Sequence, residues 1–177
     1  GITLKGRGCG GAEAVSEQLD HRVDLRARFP RAYAIDGGNT EFRDDAVSID
    51  AASATIGVHI ADLSSLVQPG SLLDEVARLR LQSLYAAALS DDAPNECLTA
   101  LVQLDLYGHI RHCQLVRSLV PPVRCLSFDE VDSLLAGDGM TSEVHSDLTA
   151  LDAIFQRRED GGARGGAVSA RAAGGGS

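Results

Sequence analysis

Four carboxylates, Asp36, Glu41, Asp44 and Asp45, fall within ten residues of the segment Ala34-Ile35-Asp36-Gly37-Gly38-Asn39-Thr40-Glu41-Phe42-Arg43-Asp44-Asp45. Like charges this close repel one another unless something cationic sits among them. A hard divalent cation answers that need: Mg2+, with Mn2+ as a substitute, takes oxygen ligands and keeps waters that exchange for substrate phosphates. The chemistry this points to is attack on a phosphodiester. The plain alternative is a solvated acidic turn, because an acidic loop by itself is a weak signal.

The elements that must hold this loop are short and alternate in type. An apolar strand enters it, and strand-like alternation resumes through Ile49-Asp50. Thr55-Ile56-Gly57-Val58-His59-Ile60-Ala61 is a β-branched run read as a buried strand. After the Pro69-Gly70 turn, Leu72, Leu73, Val76, Leu79, Leu84 and Leu89 recur near helical spacing. With Asp74 and Glu75 early and Arg78 and Arg80 later, they predict a helix over 72–89, broken by Asp91 to Asn95. Thr99 to Leu106 and Ile110 to Val116 predict a hairpin turning at Tyr107-Gly108-His109, with Ala100, Val102, Leu104 and Leu106 on its apolar face. Pro121-Pro122 ends that element. Ser127-Phe128-Asp129-Glu130 is a capping box opening a helix to Leu135, stopped by Gly137, and a further helix covers 143–157.

Composition bounds the answer. A chain of 177 residues suits one domain. Aromatics are only 4% with no Trp, so the core rests on Leu, Val, Ile and Ala. No apolar run approaches the roughly 20 residues that cross a bilayer, and residues 1–11 lack the apolar region of a signal peptide. The first residue is not Met, so an upstream targeting segment stays open. A net charge of −9 argues against a simple nucleic-acid binder, which needs a basic stripe, but not against a metal-dependent nuclease. Cys9, Cys97, Cys113 and Cys125 form no CxxC pair, which argues against zinc and a disulfide framework and for a reduced intracellular compartment. Gly6 to Gly11 fits GxGxxG, but Ile2-Thr3-Leu4 is too short a strand to carry a dinucleotide site. The expected organisation is a flexible lead-in over 1–20, an ordered unit over 21–158 and a Gly/Ala/Arg-rich tail or linker over 159–177.

Three segments in order carry a resemblance: His21-Arg22-Val23-Asp24-Leu25-Arg26, Gly57-Val58-His59-Ile60-Ala61-Asp62, and Leu73 to Arg78 running on to Ser83-Leu84-Tyr85. With the acidic loop between the first two, the chain resembles the RNB catalytic domain of the ribonuclease II and ribonuclease R family over about residues 21–165. The resemblance implies an α+β fold, a mixed sheet with packed helices, of which this sequence covers the N-terminal half. It further implies metal-dependent 3'-to-5' hydrolysis of single-stranded RNA, releasing nucleoside monophosphates with Mg2+. Asp36 matches the first aspartate of the family's acidic motif, and Asp44 and Asp45 match its final pair. Asp36 and Asp45 are thus the implied metal ligands, Asp44 and Asp45 the implied catalytic pair, and Tyr85 the implied stacking platform for an RNA base. Neither DNA nor membrane is an expected partner. Without the resemblance, Tyr85 reads as a core-edge residue, His59 as a satisfied structural histidine and Asp62 as a loop cap.

The departures point elsewhere. Phe42 stands where the family pattern has its second aspartate, and Glu41 beside it faces the opposite way on an extended segment. Arg43 puts a cation inside the cluster, where it can stand in for a metal. By resemblance the domain runs to about twice this length, and its second half carries the arginine expected at the transition state. Two readings therefore stand: an exoribonuclease whose remaining half lies elsewhere, and a catalytically inactive RNB-derived scaffold or assembly subunit of a ribonucleoprotein. A protein partner or second chain completing the domain fits either, and an exposed apolar patch is the expected sign of one.

Overall fold

The computed structural model describes residues 21–40, 42–80, 88–137 and 142–165, with side chains through 157. Apolar and β-branched runs form the strands β1 (Val23–Asp24), β2 (Ala32–Asp36), β3 (Asp45–Asp50), β4 (Thr55–Ala61), β5 (Asn95–Leu104), β6 (Ile110–Val120) and β7 (Val123–Ser127). The helices are α1 (Leu72–Arg80), α2 (Phe128–Leu135) and α3 (Glu143–Gly165). The strands make one seven-stranded sheet in the order β1-β6-β5-β4-β3-β2-β7. Its centre is antiparallel, while β2 with β7 and β1 with β6 pair in parallel. The sheet is mixed, as expected of this α+β chain.

Strand alternation splits the core across the two faces. One face buries Ala32, Ala34, Ala46, Ala61, Cys97 and Leu101 beneath Leu25 and Phe29, which come from the segment after β1. The other packs against α2 and α3: Tyr33 and Leu126 meet Val144 and Leu148, and Ile49, Ile56 and Leu104 meet Leu151. Helix α3 is also tied by charge. Arg31 reaches Asp147 at 2.7 Å and Glu143 at 2.6 Å, and the Tyr33 hydroxyl donates to Asp147 at 2.7 Å. The helices leave the β4–β6 end of their face open, where Val58, Ile60, Leu98 and Leu115 are exposed.

Several expectations need correction. Strand β4 spans Thr55–Ala61 as read, but β5 begins at Asn95 and ends at Leu104. Residues 105–109 form the turn, where Asp105 accepts from the backbone N–H of Tyr107 and His109 and Gly108 takes a φ of 81°. Leu106 lies outside the strand and is exposed. The β5 face read as polar is the more deeply buried one, since Cys97, Thr99 and Leu101 lie on it. Thr99 tolerates burial because its hydroxyl joins a chain of hydrogen bonds: Ser48 to His59 Nε2 at 2.7 Å, His59 Nδ1 to Thr99 at 2.8 Å, and Thr99 to Ser118 at 2.6 Å. His59 is thus the satisfied structural histidine expected. Helix α1 is described over Leu72–Arg80, residues 81–87 lie outside those described, and residues 88–90 are not helical, so Leu89 is not part of a helix. The Ser127–Glu130 capping box is complete and Gly137 takes a φ of 88°, but α3 runs past Arg157 to Gly165.

Candidate functional site

Asp36 ends β2 and Asp45 begins β3, and the Tyr33–Val47 register of this antiparallel pair brings Asp36, Asp44 and Asp45 to one end of the sheet. Two backbone bonds pin the returning arm of the loop. The Arg43 carbonyl accepts from Leu89 N–H at 2.7 Å, and the Asp44 carbonyl accepts from Ala61 N–H at 2.8 Å. Leu89 is anchored in turn by its buried side chain. This positioning role escaped the sequence because Leu89 also fits the helical period of the preceding leucines, and a backbone contact leaves no signature in residue type.

The electrostatics of the three aspartates follow from that convergence. Loss of water around the Asp45 carboxyl raises its pKa above the ordinary carboxylate value, and the charges of Asp36 and Asp44 raise it further. The Arg43 guanidinium answers part of this repulsion, with Nε 3.6 Å from Asp36 Oδ2. That is an ion pair rather than a hydrogen bond, and both atoms are buried with no hydrogen-bond partner among the described residues. Arg43 therefore does place a cation within the cluster. Phe42 is exposed at 43%. Glu41 and Tyr85 lie outside the described residues.

The donors fit a hydrated Mg2+ better than a dedicated metal cage. They are all carboxylate oxygens, and Asp36 Oδ2 has an unused acceptor. Among the described residues no three His, Cys, Asp or Glu side chains converge as a cage. Mg2+ does not require one, since one or two carboxylates, waters and substrate phosphates complete its shell.

Asp62 serves a different purpose. It is buried and pairs with Arg22 at 2.9 Å and Arg117 at 3.5 Å, while Arg22 also holds Glu96 at 2.8 Å. Burial pushes its pKa up, but Ser64 and the two arginines more than offset this and leave it lowered. These contacts tie the segment before β1 to β4, β5 and β6. The expected loop cap is thus mainly an ion-pair anchor. Among the described residues Cys97, Cys113 and Cys125 are free thiols, and no helix is long and apolar enough to cross a membrane.

Residues 22–173 match the RNB domain. The chain belongs to the RNB family. Ribonuclease R of Chlamydia muridarum is 30% identical over 140 residues, covering 68% of this chain and 20% of its own length. Among solved structures, Mycoplasma genitalium RNase R in complex with double-stranded RNA superposes with a TM-score of 0.70 at 15% identity, over 87% of this chain and 30% of that one. Yeast Ssd1, described as a pseudonuclease, superposes at 0.61 with 21% identity, over 80% and 19%. The chain spans about a fifth of the length of the curated relatives it matches. The RNB fold read from the three segments and the acidic loop is thereby established.

Proposed function

We propose that this RNB chain takes part in metal-dependent 3'-to-5' hydrolysis of single-stranded RNA at the Asp36, Asp44 and Asp45 cluster. The observation that carries the reading is that Asp36, Asp44 and Asp45 meet at one end of the sheet, where loss of water raises the pKa of Asp45 and the charges of the other two raise it further. Electrostatic work of this kind is maintained at functional sites more often than elsewhere. Asp36 and Asp45 would hold Mg2+, or Mn2+ in its place. When bound, the ion supplies Lewis-acid polarisation of the scissile phosphate. Asp44, exposed at the rim, orients the attacking water and accepts its proton. The water oxygen bonds to phosphorus as the bond to the leaving 3' oxygen breaks, which releases a nucleoside 5'-monophosphate. Arg43 balances charge at Asp36 before substrate enters. Tyr85 supplies an aromatic face for the terminal base, a stack of about 1–3 kcal/mol that any base can make. We assign the reaction to an intracellular setting.

A second reading has its own support. Phe42 in place of an acidic side chain, and an arginine already beside Asp36, suit an RNB-derived scaffold that has replaced its cation with Arg43. In that reading the exposed row of Val58, Ile60, Leu98 and Leu115 is the contact for a protein partner. Single-stranded RNA incubated with Mg2+, beside an Asp44→Asn control, separates the two. Stepwise 3' shortening lost in the variant supports hydrolysis; intact RNA with folded protein supports the scaffold.

A further inference from the structure

The end of the sheet opposite the acidic cluster carries a second arrangement. Asp45 pairs with Ile60 and Ile60 with Leu98, whereas Asp50 pairs with Thr55 and Thr55 with Gln103. The β5–β6 turn therefore lies roughly 17 Å from the aspartates along the strands, at about 3.3 Å per residue. Between this turn and α3 is a cleft of about 490 Å³, lined by Leu104, Asp105, Tyr107, Arg111, Ile154 and Arg157 among others.

Its lining sets one aromatic side chain beside two guanidiniums. Tyr107 is 73% exposed at the tip of a tight turn, with the His109 ring tilted beside it at 6.3 Å between centroids, and most of its face is open to solvent. Arg111 and Arg157 approach from β6 and α3, and neither pairs with a carboxylate among the described residues. Asp105 is the one acidic side chain of the lining, and its oxygens are engaged by the N–H groups of Tyr107 and His109 and by the His109 ring. The lining is thus net positive on a chain whose net charge is −9. An exposed aromatic beside two guanidiniums offers a stacking face for a base and fork-shaped donors for phosphate oxygens. An acidic peptide would use the arginines but leave the ring without a role.

We infer that the Tyr107–Arg111–Arg157 cleft binds single-stranded RNA, with a base on Tyr107 and the phosphodiester backbone on the two arginines. This rests on the RNA reading above but not on hydrolysis. The strand would lie along the sheet from this cleft towards the aspartates, which gives an acidic protein a local means of holding a polyanion.

Fluorescence anisotropy with a fluorescein-labelled oligouridylate, in EDTA so that nothing is cleaved, tests it. All three side chains are exposed, so the variants should melt as the parent does. Tyr107→Ala should weaken binding about fivefold or more, and Tyr107→Phe should bind as the parent, because the ring carries the stack. The Arg111→Gln/Arg157→Gln double variant should weaken binding and flatten the log–log salt slope by about 1.4. Parent-like binding and slope in these variants would overturn the cleft, as would a poly-glutamate peptide that competes as well as RNA. No RNA binding by the parent chain would overturn both this inference and the RNA reading. Asp44→Asn separates them: lost hydrolysis leaves cleft-dependent binding intact, and cleft-dependent binding without hydrolysis in the parent contradicts only the catalytic proposal.

Discussion

At the scale of single residues, the site rests on three aspartates that differ in environment although identical in type. Asp44 is exposed and available to water, so Asp44→Asn should lower RNA hydrolysis at least about 100-fold while leaving the melting temperature unchanged. Asp45 is exposed too, but its carboxyl loses part of its water in the fold. Its folded-state pKa is raised, so ionising it opposes folding, and stability falls as pH rises from the ordinary carboxylate pKa through the raised one. In metal-free buffer near neutral pH, Asp45→Asn should therefore raise the melting temperature. The same substitution should abolish the upward shift that millimolar Mg2+ or Mn2+ produces in the parent. A parent melting temperature indifferent to either metal would count against Asp36 and Asp45 as ligands. The acidic residues were legible because clustered like charge needs an explanation. Leu89 was not, because its contribution is a backbone N–H.

At the scale of elements, α3 is held to the sheet by polar contacts as well as packing. Asp147 accepts from both Arg31 and Tyr33, and Asp147→Ala leaves the Tyr33 hydroxyl without that acceptor and Arg31 with Glu143 as its remaining carboxylate. The expected loss is about 1–3 kcal/mol in denaturant unfolding. Glu143→Ala, at an exposed rim, should change stability by less than about 1 kcal/mol. Inside the sheet, burial holds His59 at a pKa of about 4 against an ordinary value of 6.5. The neutral ring is favoured in the fold, so its contribution is complete above pH 6.5 and is lost as pH falls towards about 4. The loss should be on the order of 3 kcal/mol. His59→Gln should remove that part of the pH dependence. Gly57 belongs to the same device: a Cβ there would lie 2.6 Å from Ser48 Oγ and 2.7 Å from His59 Cε1, so Gly57→Ala should destabilise by about 1–3 kcal/mol. Strand β4 and the capped helix α2 were legible because period and cap residues agree in them. The buried face of β5 was misread because Thr99 counts as polar until its partners on β4 and β6 are known.

At the scale of the whole molecule, alternating elements gave the mixed α+β character, but the strand order depends on pairings far apart in sequence. The parallel β2–β7 pair joins Asp36 to Ser127, a contact that no local pattern encodes. The RNB family was legible because three segments and the acidic loop occur together in order, whereas the cleft at the β5–β6 turn was not, because Arg157 arrives there only through the docking of α3. The molecule then has an acidic end, proposed to hold a cation, and an arginine- and tyrosine-bearing end, proposed to hold a polyanion, with the sheet between them. Hydrolysis of RNA at the acidic end is the proposal on which the catalytic reading depends. The most direct measurement is time-resolved gel analysis of 5'-labelled single-stranded RNA with Mg2+ or Mn2+, run for the parent and for Asp44→Asn. The parent should give a ladder shortening from the 3' end that requires metal and vanishes in the variant. Intact RNA in the presence of folded parent protein, or a ladder that persists in Asp44→Asn, would contradict it.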